Sequence, residues 1–396
     1  MESKIRRISR TVIDQYNGRS VFPGFVSYVS TNGRTLLHRY GRLDFSDAYD
    51  DFADRLSFDN GKTWSVPVLR KKSYDVPEGR IRYAENACFF DTVRNLLYTF
   101  SSRALFKSNQ LNALDPHAKF ELTFDVYDPK TGLWAGEQVL PLSLSGDVTI
   151  SFCFPIRTSS GRLLVPAYTM LLDPDGNPVH SHKENWGAVW QPVTIIGEFD
   201  SHDNLRWKAG NPVIVNVEKS SRGLTENCIA ELADGSLAMV CRGDNFMFPE
   251  RPGYKWICYS QDDGENWSEP EPMPCTEGPP IESSSAGSAF FRCTKTKKLY
   301  WIGNLCIRGE RPNGLFPRSP LVVAEIQEQP FGLKRETISV IDERAPGETA
   351  SVQMSNFRFY QDSETGDLIV LLSRYGERDA EKWQIADYYQ YRISIS

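Results

Sequence analysis

The sequence predicts an all-β chain built as a six-bladed β-propeller, each blade a four-stranded antiparallel unit, and three observations lead there. The 396 residues include 17 Tyr, 22 Phe and 9 Trp beside 28 Gly and 24 Pro, and no stretch keeps a long 3.6-residue apolar period. Such a composition suits many short strands parted by turns. A turn followed by an apolar strand recurs six times, beginning at 32 (NGRTLL), 93 (VRNLLYTF), 160 (SGRLLVPAY), 234 (DGSLAMVCR), 297 (KKLYWIGN) and 365 (TGDLIVLLSR). Successive spacings lie between 60 and 75 residues, and one sixth of the chain is 66. The octapeptide SFDNGKTW at 57–64 returns as SQDDGENW at 260–267, a separation of 203 residues, or three such units. Six four-stranded units in a ring make a propeller.

Taken from the N-terminus, KIRRISR at 4–10 reads as an edge strand with solvated charges, and the strand around SRTVID is expected to pair with the last blade, because an unpaired edge would otherwise remain. The blades are expected at residues 15–75, 76–145, 146–218, 219–278, 279–345 and 346–396 as one domain. An apolar run precedes the turn in each: GFVSYVS, NACFFD, ISFCFPI, NCIAEL, SAFFRC and SNFRFY. The octapeptides are turn recipes. Asp59 and Asp262 are placed to accept hydrogen bonds from backbone N–H groups just ahead, Gly supplies a positive φ, and Trp is an apolar anchor. A carboxylate committed to its own turn is a poor acid or base, so these positions are structural.

Charge and cysteine usage bound the function. The formal net charge is −6 and the single basic cluster is short, which argues against nucleic acid. No run is long and apolar enough for a membrane span or a secretory signal, so a cytoplasmic, membrane-free protein is expected, with a processed secreted form equally compatible. The eight cysteines stand singly, mostly within apolar runs, and read as free buried thiols. His180 and His182 share a loop with no carboxylate or Cys at ligand spacing, so neither metal nor cofactor is expected. Trp186 and Trp190 in the same insertion are read either as sugar-stacking or as packing residues.

In a propeller blade the innermost strand starts at the mouth where the second strand ends, and the third strand starts there too. That rim receives Arg39, Arg103, Tyr168, Arg242, Asn304 and Arg374 as second-strand ends, Glu85 and Glu226 as first-strand starts, and Arg318 opening a third strand. Several arginines round one concave mouth repel unless an anion binds between them. Arg103 and Arg374 read equally as solvated rim charges, and Glu85 equally as the partner of Arg103. The octapeptides fall on the opposite face.

The two octapeptides, together with SSGRLLVPAY at 159–168, ENCIAELADGSLAMVCR at 226–242 and RSPLVVAEI at 318–326, resemble the sialidase superfamily of six-bladed propellers, the Asp-box glycosidases, over essentially the whole chain. The resemblance implies that Arg242 and Arg318 grip a substrate carboxylate, that Glu226 assists a nucleophile, and that the acid/base is Asp47 or Asp50 in GRLDFSDAYDDFADR. Two positions depart from the family: Val21 stands where its first arginine falls, and Met354 where its tyrosine nucleophile falls, with Tyr360 and Tyr375 out of register. An exo-acting glycosidase on a terminal sialic or uronic acid follows as the expectation. A uronate lyase and a non-catalytic carbohydrate-binding propeller are the alternatives.

Overall fold

The computed structural model describes residues 4–43, 51–106, 119–144, 147–182 and 187–396. The fold is an all-β six-bladed β-propeller of small antiparallel sheets, with a 3₁₀ turn at Arg335–Thr337 the one helical element among the described residues. The chain divides into two compact units, Pro141–Arg344 and Lys4–Leu140 joined with Ala345–Ser396.

Three sheets form the first unit. Sheet three carries Leu163–Met170, Trp190–Phe199 and Leu205–Ala209, and sheet four is the plain meander Thr225–Glu231, Leu237–Arg242, Lys255–Ser260, Glu271–Pro272. Sheet five carries Ser288–Arg292, Leu299–Asn304 and Leu321–Glu328. Leu237–Arg242 is buried along its whole length apart from the terminal arginine, because both faces of its sheet are covered. Leu237, Met239 and Cys241 pack with Leu164 and Ile196 of sheet three. A sheet covered on both sides reads in sequence as a continuous apolar run, not an alternating one. LAMVC is such a run.

In the second unit, sheet one runs Ser20–Tyr28, Leu36–Leu43, Asp51–Ser57, Val68–Lys72, and sheet two is built on the long pair Gly79–Asp91 and Leu96–Phe106. The sixth sheet has the order Phe357–Gln361, Leu368–Ser373, Tyr388–Ile395 and finally Ile5–Asp14. The N-terminal strand therefore closes the last blade, with Ile5 opposite Ile395 and Asp14 opposite Tyr388, as the sequence requires.

Both octapeptides fold into the same turn. Gly61 N donates to Ser57 Oγ at 2.8 Å and Thr63 N to Asp59 Oδ1 at 2.8 Å; Gly264 N donates to Ser260 Oγ at 3.0 Å and Asn266 N to Asp262 Oδ1 at 2.9 Å. Gly61 and Gly264 have φ of 80° and 91°, which only glycine adopts without strain. Trp267 packs against the core of the first unit and donates Nε1 to Thr194 Oγ1 at 3.1 Å. The Thr63 hydroxyl, followed by the Thr63 N–H, holds the Asp59 carboxyl down at about 2. Its contribution to stability is thus present above the ordinary carboxylate range near 3.9 and is lost as pH falls toward 2. Asp262→Ala is expected to lower the melting temperature while leaving turnover per folded molecule intact. A stable variant without turnover would place the turn in the site.

Candidate functional site

Glu226, Arg242 and Arg318 come together within the first unit. Leu237–Arg242 ends on its arginine, and Thr225–Glu231 begins one residue before the glutamate. The register between these strands breaks between Thr225 and Cys228, a bulge that holds Glu226, and Glu226 has φ of 44°. Bulges beside a site re-aim a side chain, and a glutamate in the left-handed region is strained and needs its surroundings to hold it. One neighbour is Phe152, itself at φ 51°. Both meet at Gly287, where an added Cβ would lie 2.6 Å from the Phe152 ring and 3.0 Å from Glu226 Oε2. Glycine at 287 is what lets the aromatic ring and the carboxylate approach the same backbone.

Arg242 donates from Nη1 to Glu226 Oε1 and from Nε to Ser285 Oγ at 2.7 Å. Its Nη2 and Glu226 Oε2 have no hydrogen-bond partner among the described residues. Arg318 donates Nη2 to Ser285 O at 3.1 Å and Nε to Leu315 O at 3.1 Å. One serine therefore holds both guanidinium groups. Burial pushes the Glu226 carboxyl up, yet the fields of Arg242 and then Arg318 outweigh it and keep the pKa below the ordinary carboxylate value. At neutral pH Glu226 is an anion, suited to accept a proton or to face developing positive charge, and unsuited to donate.

Sequence reasoning missed Lys255, the first residue of its strand, which is buried and lies directly opposite Arg242 across the ladder. Like charges facing one another on adjacent strands are destabilising. Lys255 is held by two carbonyls, Ser284 O at 3.1 Å and Ala286 O. Burial, and next the field of Arg242, bring its ammonium down to about 7. Arg222, Arg242, Arg318 and Lys255 are set here against two carboxylates, Glu226 and Asp244, and such a surplus of cations in a buried place favours an incoming anion. The lone charge in YKWICY was visible in the sequence; its register against Arg242 was not. Tyr168 meets Trp190 edge-on with ring centres 5.1 Å apart, and its field acts on Arg242.

Asn304 also lies in the first unit, buried at the end of its strand with Nδ2 donating to Pro320 O at 3.0 Å, and the other candidates lie in the second unit, each engaged with its own partner. Arg39 is not at a strand end. Leu36–Leu43 runs four residues past it, so its side chain is enclosed at 0% exposure, fork-bonded to Asp54 at 2.7 and 2.9 Å and stacked between Phe25 and Trp134. It is a packing residue in this fold, which corrects its reading as a rim ligand. Glu85 likewise lies within the long strand Gly79–Asp91, and its partner is Arg358 at 2.9 Å, not Arg103. Arg103 pairs instead with Glu121 at 2.9 Å. Arg374 follows its strand directly but turns onto both oxygens of Glu348 and is nearly enclosed. Arg358, unforeseen in SNFRFY, also donates to Gly24 O at 2.7 Å.

Val21 and Met354 are buried packing residues. The Tyr375 hydroxyl donates to Val21 O at 3.0 Å inside the core, and Tyr360 packs edge-on against Tyr28. Asp47, Asp50 and Trp186 lie outside the described residues. His182 lies tilted against Phe246 with ring centres 5.4 Å apart, and no cluster of metal-binding side chains occurs among the described residues.

A crystal structure of a protein of unknown function from Dyadobacter fermentans matches the chain with a TM-score of 0.66 at 14% identity, covering 99% of both chains. The intramolecular trans-sialidase from Ruminococcus gnavus, in complex with oseltamivir carboxylate, matches with a TM-score of 0.64 at 14% identity over 96% of each chain. The chain has a sialidase-like fold. The Trypanosoma rangeli sialidase agrees, with a TM-score of 0.62 at 13% identity over 98% of this chain and 59% of that one. No protein-family model and no curated protein matches the sequence. At such identities the sialidase-like likeness speaks for architecture, and the chemistry must be argued from the side chains.

Proposed function

We propose that the chain is a glycosidase that binds a terminal acidic sugar, a sialic or uronic acid, by its carboxylate at Arg242 and Arg318. The observation that carries this reading is the convergence of both arginines on Ser285 beside Glu226, with Lys255 behind them. A planar carboxylate suits forked guanidinium donors, and it supplies the negative charge that the buried cluster lacks. Solved structures of the same architecture include sialidases, one of them holding a carboxylate ligand, which supports the substrate class. In this reading Glu226 stays ionised as a base or as the helper of one, and Asp47 or Asp50 is the proton donor. Tyr168 and the aromatic ring of Phe152 border the sugar.

One observation favours a second reading, a sugar-binding module without turnover. The residue where the family's tyrosine nucleophile falls is the buried Met354, and the Tyr375 hydroxyl is committed to Val21 O. Incubation with a panel of sialosides and uronides separates the readings. Release of a new acidic reducing sugar without near-ultraviolet absorbance is the expected result. An absorbing unsaturated product identifies a uronate lyase, and measurable affinity without any product identifies a binding module. Release from neutral glycosides alone overturns the acidic-sugar reading.

A further inference from the structure

We propose that Lys255 is a positioning residue of this site, a third cation that never touches the sugar but ties down the Ser284–Ser285–Ala286 strap holding both arginines and takes up a proton when an acidic ligand arrives. This rests on the acidic-sugar reading above and goes beyond it, to what sets the geometry and charge of the arginine pair.

The strap is held from every side. Lys255 Nζ donates to the carbonyls on either side of Ser285, those of Ser284 and Ala286. Between them Ser285 takes Arg242 on its hydroxyl and Arg318 on its carbonyl. Ser285 N is itself anchored to Gly314 O at 2.8 Å, and Ser283 N to Gly253 O at 2.8 Å. Three successive residues thus give four oxygens to three cations. Removing the ammonium frees two carbonyls, and the serine that orients both guanidinium groups loses its fixed position.

The same placement makes Lys255 responsive to charge. Four groups act on it from the elements around it: Arg242 from the adjacent strand, Glu226 from the next strand, Arg318 from the segment before Leu321–Glu328, and Cys306 following Leu299–Asn304. Burial pushes the Cys306 thiol up to about 11, so it is neutral here. Glu226 is the one anion of the four, set against two permanent guanidinium charges. With burial and the field of Arg242 bringing its ammonium down to about 7, Lys255 gives up or takes up a proton near neutral pH as the surrounding charge changes. A carboxylate placed against Arg242 and Arg318 cancels part of the field that strips this proton, so binding draws a proton in.

Calorimetric titration of N-acetylneuraminic acid and of glucuronic acid into the protein at pH 7, in buffers of different ionisation enthalpy, measures that proton directly. The wild type is expected to take up a measurable fraction of one proton. Lys255→Met is expected to take up none and to bind about tenfold more weakly at pH 6, with the difference shrinking by pH 8.5. Lys255→Arg, which keeps the charge but does not titrate, is expected to retain affinity and lose the uptake. A folded Lys255→Met that binds with wild-type affinity and wild-type proton uptake overturns the proposal while leaving the acidic-sugar reading intact. So does a wild type that binds without proton uptake, and that result needs no variant. Failure of the wild type to bind either sugar, with affinity for neutral sugars instead, removes the acidic-sugar reading and this proposal together.

Discussion

Glu226→Gln is expected to lower turnover of an acidic glycoside by about a hundred- to ten-thousandfold while leaving affinity for the sugar unchanged or tighter. The amide oxygen can still accept from Arg242, so the bulge and the arginine keep their arrangement. The variant removes a carboxylate that opposes Arg242, Arg318 and Lys255, which leaves the region more attractive to an anion. What disappears is a group that can take a proton or face positive charge in the bond-breaking step. Rapid-quench turnover and equilibrium binding on the same preparation check it. Equal losses in both, or normal turnover, would show that Glu226 only orients Arg242.

Arg242→Ala comes second in expected size and differs in kind. Charge-assisted bonds are worth roughly 1.5 to 3 kcal/mol each, so catalytic efficiency toward an acidic substrate should fall about ten- to a hundredfold or more. The substitution also strips Glu226 and the Ser285 hydroxyl of their partner. Part of the loss therefore measures stranded polar groups and not the contact with the sugar. A neutral analogue of the same glycoside should already show most of the deficit with the wild type. Arg318→Ala should act in the same direction, and the double variant should lose less than the product of the single losses, because both arginines are set by one serine. Wild-type efficiency in either single variant would place the carboxylate elsewhere.

How far the sequence carried differs between fold and site, for a physical reason. Turn recipes are local: the Ser, Asp and Gly of each octapeptide act within five residues, so their positions announced the repeat and, through it, six sheets. The start of a strand after an apolar run was legible for the same reason, which placed Glu226 and Arg242 correctly at their strand ends. Strand length is not local. Leu36–Leu43 and Gly79–Asp91 run on because neighbouring strands offer partners, so Arg39 and Glu85 fell inside sheets where rim positions were expected. Lys255 and Ser285 carry meaning only through register and through a strap from a different sheet, and no spacing along the chain encodes either. The loop holding Asp47 and Asp50 was legible as acidic and no further.

The closing pair of the sixth sheet has a consequence for how the protein is made. Ile5 meets Ile395, so the strand Ile5–Asp14 is synthesised well before the strand that pairs with it and has no partner until Tyr388–Ile395 has been made. Closing so long a loop costs little more entropy than closing a moderate one, since the cost grows only with the logarithm of length. The delay is in time. At roughly 5 to 20 residues per second the strand waits for tens of seconds, in a period when unpaired edges invite association. IRRISRTVID is fitted to that wait: Arg6, Arg7 and Arg10 keep it charged and hydrated, and most of its length stays exposed even after docking. The blade is then sealed by Tyr388–Ile395, against a strand whose charges have kept it hydrated until that partner arrives.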